Sequence, residues 1–172
     1  GFLVRGRNNA DDDRYIYVPA MGRVSRIVGS GRGGSFMSSD FSYEDIGSPD
    51  LEDWVWTLAG TAEVDGHACQ LVEATPVDDS VRKDTGYTKV VYAIDQALKT
   101  SRATDFYDKQ GAKFKHLQVS EIQDLNGVPF ATDMIMTDLG NGHTSQMKME
   151  DLAVDQGVDS LWFTNRALQK GF

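Results

Sequence analysis

Residues 112–154 read AKFKHLQVSEIQDLNGVPFATDMIMTDLGNGHTSQMKMEDLAV, and this stretch decides the fold. The dipeptides Asn126-Gly127 and Asn141-Gly142 divide it, and Asn-Gly tolerates the positive φ angles of a two-residue hairpin turn. Such short turns connect only antiparallel neighbours. Apolar and polar residues alternate between the turns, as they do in half-buried strands. The stretch therefore predicts three antiparallel strands: Ala112–Leu125, Val128–Leu139 and His143–Val154.

Two-residue turns also fix which residues of these strands lie opposite each other. With turns at both dipeptides, one face of the three strands carries apolar side chains, whereas the other face carries Thr137, Gln146 and Lys148, with Ile135 as an exception. One face is therefore predicted to be buried and the other exposed to water. The predicted cross-strand pairs are Leu117 with Met136, Val119 with Met134, Met136 with Met147, and Met134 with Met149.

The apolar face permits two interpretations. It is either the core side of a sheet that packs on another element, or the wall of a cavity for an apolar ligand. Four of the six methionines in the chain lie on it, and methionine is common on surfaces that accept apolar ligands of variable shape. Trp54, Trp56 and Leu58 share one face of a further predicted strand, Trp54–Val64. These side chains either extend the same surface or pack in the core.

The rest of the chain repeats short strand-like segments separated by turn residues. Only Trp162–Lys170 has the pattern of a helix longer than one turn, and single helical turns are predicted at Tyr43–Ile46 and Asp50–Asp53. Because no internal repeat or linker divides the chain, residues 1–172 are predicted to form one mainly β, antiparallel domain. The further predicted strands are Phe2–Arg7, Arg14–Val18, Gly22–Val28, His67–Thr75, Tyr87–Ile94 and Leu98–Tyr107.

The composition excludes several classes of protein. The 172 residues carry a net charge of −9, which argues against binding to nucleic acid or to the surface of an anionic membrane. The single cysteine, Cys69, excludes an intrachain disulfide and a four-cysteine zinc site. The longest apolar run, Val90–Ile94, is far shorter than the roughly 20 residues that span a bilayer.

Residues with catalytic or metal-binding chemistry are scattered along the chain. His67, His116 and His143 each stand alone, and the sequence motifs of serine hydrolases, phosphate-binding loops and zinc proteases are absent. The sequence therefore predicts a protein that is not an enzyme and that has no cofactor and no metal. An acidic segment is dense enough for a metal or a basic partner, but a solvated, helix-capping role is the preferred interpretation. Its acidic residues are Asp40, Glu44, Asp45, Asp50, Glu52 and Asp53.

Two neighbouring segments carry a family resemblance. Residues 15–27 read YIYVPAMGRVSRI, and residues 35–45 read SFMSSDFSYED. Together they resemble the LolA-like family of outer-membrane lipoprotein-sorting proteins, in its branch of periplasmic proteins often encoded beside RND-type exporters. Segments with the family's pattern follow in the same order over nearly the whole chain. They are Asp65-Gly66, LVEATP at 71–76, GYTKVV at 86–91, LWFT at 161–164 and RAL at 166–168.

The resemblance implies an antiparallel, half-open β-barrel in which a few short helices cover a hydrophobic cavity. It also implies a periplasmic protein that carries the acyl chains of lipoproteins or other lipids towards the outer membrane. Members of this family normally have a signal peptide, a first helix and early strands before the point at which this chain begins. We therefore expect residues 1–172 to be a single LolA-like domain that lacks its N-terminal helix and first strands.

On this basis a lipid cavity can be assigned to named residues. The motif at 36–45 either contributes to the lid of that cavity or is purely structural, with Asp40 and Tyr43–Asp45 capping a short helix and anchoring the loop. Trp54 and Trp56 are predicted to form a side wall, and the loop Gly29–Phe41 lies near the mouth. The predicted floor consists of Met134, Met136, Met147, Met149, Leu117 and Val119, and the predicted lid contacts are Phe36, Met37 and Phe41.

Two functions remain open at this point. The first is a carrier whose partners are lipid or lipoprotein acyl chains. The alternative is a non-enzymatic accessory subunit that docks an RND-family inner-membrane exporter through the same apolar sheet face. Both functions require the same alternation of apolar and polar residues, so the sequence does not separate them.

Overall fold

Ten strands make up about half of the residues that the computed structural model describes, which are 1–7, 10–47 and 49–170. Between the strands lie two α-helices, α1 (Asp79–Thr85) and α2 (Asn165–Lys170), and 3₁₀ turns at Pro19–Met21, Gly29–Gly31, Leu51–Asp53 and Ser160–Phe163. The strands are β1 (Phe2–Arg7), β2 (Ala10–Val18), β3 (Arg23–Ile27), β4 (Trp54–Val64), β5 (His67–Pro76), β6 (Lys89–Asp95), β7 (Ser101–Tyr107), β8 (Lys113–Leu125), β9 (Val128–Asp138) and β10 (Thr144–Lys148).

The strands form two antiparallel sheets. β1, β2 and β3 form a small sheet in that order, and β4 to β10 form a seven-stranded sheet in which each strand pairs with its neighbours along the chain. β4 and β10 are the two edges of the larger sheet, which therefore remains open. The predicted fold class, a mainly β, antiparallel, half-open barrel, is confirmed.

The turn at Asn126-Gly127 has the predicted register. Both residues have a positive φ angle, 57° and 86°, as a two-residue hairpin turn requires. The predicted cross-strand pairs follow from this turn: Leu117 lies opposite Met136, and Val119 lies opposite Met134.

The two-residue turn predicted at Asn141-Gly142 is wrong, and the register of β9 and β10 differs from the prediction by two residues. The connecting loop has four residues, 139–142, because the Asp138 N–H donates to the His143 carbonyl at 2.9 Å. Side chains of a strand alternate with a period of two, so this shift leaves each side chain of β10 on its predicted face. In place of the predicted pairs, Met136 lies opposite Ser145, and Met134 lies opposite Met147.

Helix α1 is missing from the sequence-based prediction. The Asp78 carboxylate accepts a hydrogen bond from the Val81 N–H at 2.9 Å at its start, and Gly86, with a φ of 83°, ends it. Only Val81 and Thr85 are buried along its seven residues. A helix this short shows too few apolar positions for a helical period to be visible in the sequence.

The core lies between the seven-stranded sheet and residues 32–47, which we call the plug segment. The inner face of the sheet is the side that carries Trp54 and Met136. Phe41 of the plug segment is 3% exposed and belongs to the same apolar cluster as Met136, which is completely buried. Phe36 and Ile46 also pack against this cluster. The apolar face predicted from the sequence is therefore covered by the chain's own plug segment.

The small sheet contacts the plug segment as well. The Phe2 ring on β1 lies 5.4 Å from the Phe36 ring and 5.7 Å from the Tyr43 ring, measured between centroids. On β2, the Arg14 guanidinium lies 3.6 Å from the Glu44 carboxylate. The plug segment thus connects the two sheets.

Candidate functional site

The inner face brings together most of the side chains predicted to line a lipid cavity. They form one apolar cluster that includes residues of the sheet and of the plug segment, because the alternation along β4, β8 and β9 places them on the same side. The predicted residues that belong to this cluster or pack against it are Met134, Met136, Met147, Leu117, Trp54, Trp56, Phe36 and Phe41.

Val119, Met149 and Met37 lie elsewhere. Val119 is buried but outside this cluster. Met149 follows the end of β10, where its N–H donates to the Thr132 carbonyl at 2.8 Å beside a polar depression. Met37 is 48% exposed and has a φ of 51°, so its side chain does not pack on the cluster in this conformation.

The apolar stripe predicted along β4 ends at Trp56. The Trp56 indole Nε1 donates to the Leu51 carbonyl at 3.0 Å, and its ring lies 5.8 Å from the Tyr92 ring. Leu58 is 77% exposed. A bulge between Leu58 and Gly60 interrupts the pairing of β4 with β5, and this part of the strand lies outside the covered face.

A buried ion pair joins the plug segment to the inner face. The Lys115 Nζ lies 2.5 Å from Asp45 Oδ2, and both side chains are almost completely buried. The Tyr87 hydroxyl donates to Asp45 Oδ1 at 2.7 Å and lies 2.9 Å from the Ser42 hydroxyl. Burial, together with the charge of Asp45, raises the pKa of Tyr87, so this phenol remains a hydrogen-bond donor.

A second buried ion pair lies within the plug segment, and its arginine also binds Asp53 beyond the segment. The Arg32 guanidinium donates to both carboxylate oxygens of Glu44, at 2.8 and 3.0 Å, and to Asp53 Oδ2 at 3.1 Å. Burial opposes the charged form of Arg32, but the hydrogen bonds and charge of Glu44 outweigh it and raise the pKa of Arg32. Two-point binding of this kind fixes orientation as well as distance.

A third polar contact fastens the middle of the plug segment to the edge of the sheet at β10. The Ser145 hydroxyl donates to Asp40 Oδ2 at 2.6 Å, and the Asp40 N–H donates to the Ser145 oxygen at 3.0 Å. His143 Nδ1 lies 2.7 Å from the same carboxylate oxygen. Burial raises the pKa of Asp40, but the hydrogen bonds from Ser145 and His143 outweigh it and lower the pKa.

The preferred interpretation of the acidic segment, a solvated capping role, is wrong for its central residues. Glu44 and Asp45 are bound to basic side chains of this chain, and Asp40 and Asp53 also have partners within it. Asp50 acts as predicted, because its carboxylate accepts from the Glu52 N–H at the start of a 3₁₀ turn, and Glu52 itself is exposed in that turn. The motif at 36–45 is the central part of the plug segment, and its acidic residues anchor it.

Two openings lie beside the plug segment. A cavity of about 100 Å³ lies between it and the inner face, and its wall includes Glu44, Asp45, Trp54 and Tyr92. A larger pocket of about 470 Å³ lies at the end of the sheet, and its wall combines polar residues such as Asp40 and Lys115 with the aromatic residues Phe41, Tyr87 and Phe114.

The residues that the structure describes contain no group of three or more His, Cys, Asp and Glu side chains able to hold a metal ion. His116 Nδ1 lies 2.6 Å from Asp105, and His67 Nδ1 lies 3.7 Å from Asp95. Cys69 is a buried free thiol, and burial is the main cause of its raised pKa. Among the described helices, none has the length and apolar character needed to cross a membrane.

The sequence analysis does not identify four polar residues of this site: Lys115, Tyr87, Arg32 and Ser145. A signal exists for Lys115, because it lies two residues before Leu117 and therefore on the same face of β8. A lysine at an inward-facing position requires a buried carboxylate. The sequence does not indicate which carboxylate, since Asp45 lies 70 residues away.

Comparisons with known proteins show which family the chain belongs to. A family model described only as an uncharacterized-protein family matches residues 1–170, and no curated protein matches the sequence significantly. A DUF1329 family protein from Desulfovibrio piger, of known structure, is 31% identical, with a TM-score of 0.88; the match covers 97% of this chain and 70% of that one.

Two further structures are similar. A proposed outer membrane lipoprotein-sorting protein domain from Vibrio parahaemolyticus is 30% identical, with a TM-score of 0.88 over 98% of this chain and 71% of that one. A LolA superfamily protein from Nitrosomonas europaea shares the fold at 22% identity, with a TM-score of 0.60 over 95% of this chain and 70% of that one.

Proposed function

The chain belongs to the DUF1329 family, and from this premise we propose that it is a non-enzymatic carrier in the periplasm. Its cargo is a lipid or a lipoprotein acyl chain, held on the inner face of the seven-stranded sheet. The naming of the Vibrio parahaemolyticus relative as a lipoprotein-sorting domain supports this proposal. The proposal also covers the predicted site residues that line the inner face.

One observation carries the proposal: the apolar inner face is covered by a segment that is fastened through polar contacts. Lys115 and Ser145 of the sheet bind carboxylates of the plug segment, and Arg32 of the segment binds Asp53 outside it. Such contacts can be exchanged for water when the segment moves away, and the methionine-rich face beneath it then becomes accessible. Stability alone does not require buried ion pairs between the plug segment and the sheet. Proteins in which well-packed hydrophobic residues replace a buried ion pair are often as stable or more stable.

An acyl chain compensates for the loss of the plug segment's own contacts. Burial of one CH₂ group gains about 0.8 kcal/mol, so a 16-carbon chain gains on the order of 12 kcal/mol before ordering costs. The existing cavity of about 100 Å³ is smaller than the roughly 150 Å³ cavity that accommodates one benzene molecule. Entry of a whole acyl chain therefore requires the plug segment to move.

Native mass spectrometry of protein purified from a bacterial host, with solvent extraction of bound lipid, tests the proposal. We expect an adduct with the mass of a fatty acid or phospholipid. The double variant Met134→Gln/Met147→Gln, which makes the half-buried inner face polar, should lose this adduct. The matched control Met21→Gln/Met37→Gln changes two exposed methionines and should retain it. A folded Met134→Gln/Met147→Gln protein with undiminished adduct would contradict the assignment of the inner face.

A second candidate function is an accessory subunit that docks an RND-type exporter. The specific observation in its favour is the edge strand β4, on which Val55 and Leu58 are exposed, because an unpaired edge can add a strand from a partner. In this candidate function, docking occurs at the edge of the sheet rather than on the inner face. A full-length, folded protein that remains free of lipid after incubation with bacterial phospholipid vesicles would favour this candidate over the carrier.

A further inference from the structure

The charge of the chain is divided between two regions of opposite sign. Residues 1–31 and 160–172 contain seven basic and three acidic residues, whereas residues 32–159 contain ten basic and 23 acidic ones. The overall charge of −9, which argues against binding to an anionic membrane, therefore averages a basic region and a strongly acidic one. Exposed charges separated by more than the Debye length of about 8 Å interact only weakly, so the local charge decides what the basic region binds.

The two parts of the basic region, which are distant in the chain, pack together in the structure. Helix α2 lies against the small sheet, where Arg5 Nη2 donates to Asn165 Oδ1 at 2.9 Å. Near the other end of α2, Gln169 Nε2 donates to the Gly22 carbonyl at 3.4 Å. Gly22 directly precedes Arg23, the first residue of β3, whose side chain is exposed. Helix α2 therefore brings its own basic residues beside Arg23.

The outward side of α2 carries two basic residues. Arg166 and Lys170 are about one helical turn apart and exposed, whereas Ala167 and Leu168 between them are half-buried. Among the residues that the structure describes, neither basic residue has a partner in an ion pair, and the same holds for Arg23. Three cationic side chains of this region are therefore available to an external anion.

An exposed apolar turn is attached to the start of α2. Leu161, Trp162 and Phe163 lie in the 3₁₀ turn before the helix and are 67%, 50% and 50% exposed. Thr164 fixes this turn to the helix, because its hydroxyl donates to the Leu161 carbonyl at 2.8 Å and accepts from the Ala167 N–H at 3.2 Å. A single exposed leucine is ordinary, but three adjacent large apolar side chains are typical of a contact surface.

The turn and the basic residues supply the two contributions by which proteins attach to an anionic bilayer. Tryptophan is enriched at the level of the lipid headgroups, where its ring is partly in contact with the acyl chains. Basic residues near the surface are attracted to anionic lipids, and the two contributions together give stronger attachment than either alone. The acidic residue next to the turn, Asp159, is already engaged, since its carboxylate accepts from the Leu161 N–H at 2.9 Å.

We propose that this surface, which we call the docking face, attaches the chain to a bilayer that contains anionic phospholipid. Its three apolar side chains enter the interface between headgroups and acyl chains, and its three basic side chains bind lipid phosphates. The inference goes beyond the proposed carrier function and does not rest on it, because the docking face lies on the small sheet, α2 and the turn before it. The docking face consists of Leu161, Trp162, Phe163, Arg23, Arg166 and Lys170.

Flotation with vesicles tests the electrostatic part of this inference. The probes are phosphatidylcholine vesicles with and without one quarter of phosphatidylglycerol. The wild type should bind the mixed vesicles, less so as the salt concentration rises, and should bind pure phosphatidylcholine more weakly. Arg166→Gln/Lys170→Gln should weaken binding to the mixed vesicles roughly 30-fold, as expected for two basic residues at an anionic surface. The matched control Lys99→Gln/Lys109→Gln removes the same charge from exposed positions between strands of the larger sheet and should bind like the wild type.

Quenching of tryptophan fluorescence by phospholipid with brominated acyl chains tests the insertion of the turn. Of the other two tryptophans, Trp54 is buried and Trp56 is half-buried. Vesicle-bound wild type should be quenched, and Trp162→Phe should lose most of this quenching while it still binds. Leu161→Ser/Phe163→Ser should lose both binding and quenching. These positions are exposed, so the variants should keep the circular dichroism spectrum of the wild type.

Several results overturn the inference. They are equal vesicle binding by the wild type and Arg166→Gln/Lys170→Gln, undiminished quenching in Trp162→Phe, and a wild type that does not bind the mixed vesicles. A concentration-dependent dimer in sedimentation equilibrium that Leu161→Ser/Phe163→Ser prevents, without vesicle binding by the wild type, assigns the docking face to a second copy of this chain instead. In each case the lipid adduct measured by native mass spectrometry decides the carrier function separately.

Discussion

The ammonium group of Lys115 lies on an apolar face, where a carboxylate of the plug segment and nearby rings replace its hydration shell. Its Nζ lies 4.7 Å from the centre of the Phe106 ring and 5.0 Å from that of Tyr87, distances at which aromatic faces attract cations. The net energy of such a buried pair is small, but the loss of one partner is costly because the other charge remains buried.

Lys115→Met should therefore destabilise the protein by about 3–5 kcal/mol, since it leaves the Asp45 charge buried without its cation. The double variant Lys115→Met/Asp45→Asn should recover most of this loss. Urea denaturation followed by circular dichroism measures both. Lys113→Met is the control, because Lys113 is exposed, and its effect should be small. A loss below about 1 kcal/mol for Lys115→Met, in the range of exposed ion pairs, would contradict this account.

Asp95 predicts a pH dependence of stability. Its carboxylate accepts from the Leu98 and Ala97 N–H groups and from Arg102, and these bonds lower its pKa to about 2. A depressed pKa stabilises the folded state above the unfolded pKa of about 3.9, and this contribution is lost as the pH falls towards 2. Asp95→Asn should therefore be less stable than the wild type at pH 7.

The stability difference between Asp95→Asn and the wild type should shrink between pH 4 and pH 2. Chemical denaturation across this range measures it. Glu63→Gln, which changes an exposed position on β4, should show no comparable trend. A constant difference between Asp95→Asn and the wild type down to pH 2 would disagree with the assigned hydrogen bonds.

At the scale of elements, the two Asn-Gly hairpins show how far a sequence pattern determines the pairing of strands. The Asn-Gly rule gives the correct register where the dipeptide forms the whole turn, at Asn126-Gly127. It fails at Asn141-Gly142, because the dipeptide there ends a longer loop that Asp138 closes. The predicted face survives both cases, since the error is an even number of residues.

Ser145→Ala should loosen the plug segment without altering the sheet. The variant removes both an acceptor for the Asp40 N–H and a donor to its carboxylate. Hydrogen exchange measured by mass spectrometry should become faster for residues 32–47 and remain unchanged for β6 to β8. Ser120→Ala changes an exposed serine of β8 and serves as the control. Unchanged exchange in residues 32–47 would show that the other anchors suffice.

For the whole molecule, the seven-stranded sheet and the residues of its apolar face could be predicted from sequence. The plug segment that covers this face could not. The alternation of apolar and polar residues identifies the buried face of a strand, and it placed Trp54, Leu117 and Met136 on buried faces. It does not show whether a sheet, a helix or an irregular segment covers that side. The acidic residues from Asp40 to Asp53 appear solvated in the sequence because their partners, such as Lys115, are distant in the chain.

Phe41→Ala should separate stability from ligand affinity. Removal of a buried aromatic side chain costs about 3–5 kcal/mol, so the variant should unfold roughly 10 °C lower than the wild type. Because Phe41 covers the inner face, monopalmitoylglycerol should raise the unfolding temperature of this variant more than that of the wild type. Phe130→Ala, at a more exposed site, should lack this gain. An equal shift for Phe41→Ala and the wild type would contradict the covering role of Phe41.

The distribution of methionines also gives the molecule two classes of oxidant sensitivity. Met21 and Met37 are exposed, whereas Met136 is completely buried beneath Phe41 and its neighbours. Peroxide converts an accessible thioether into a polar sulfoxide, so the first two thioethers react in any conformation. Met136 reacts only after the plug segment has moved. Oxidative damage to the inner face is thus coupled to opening, and a protein that opens frequently would lose its apolar surface fastest.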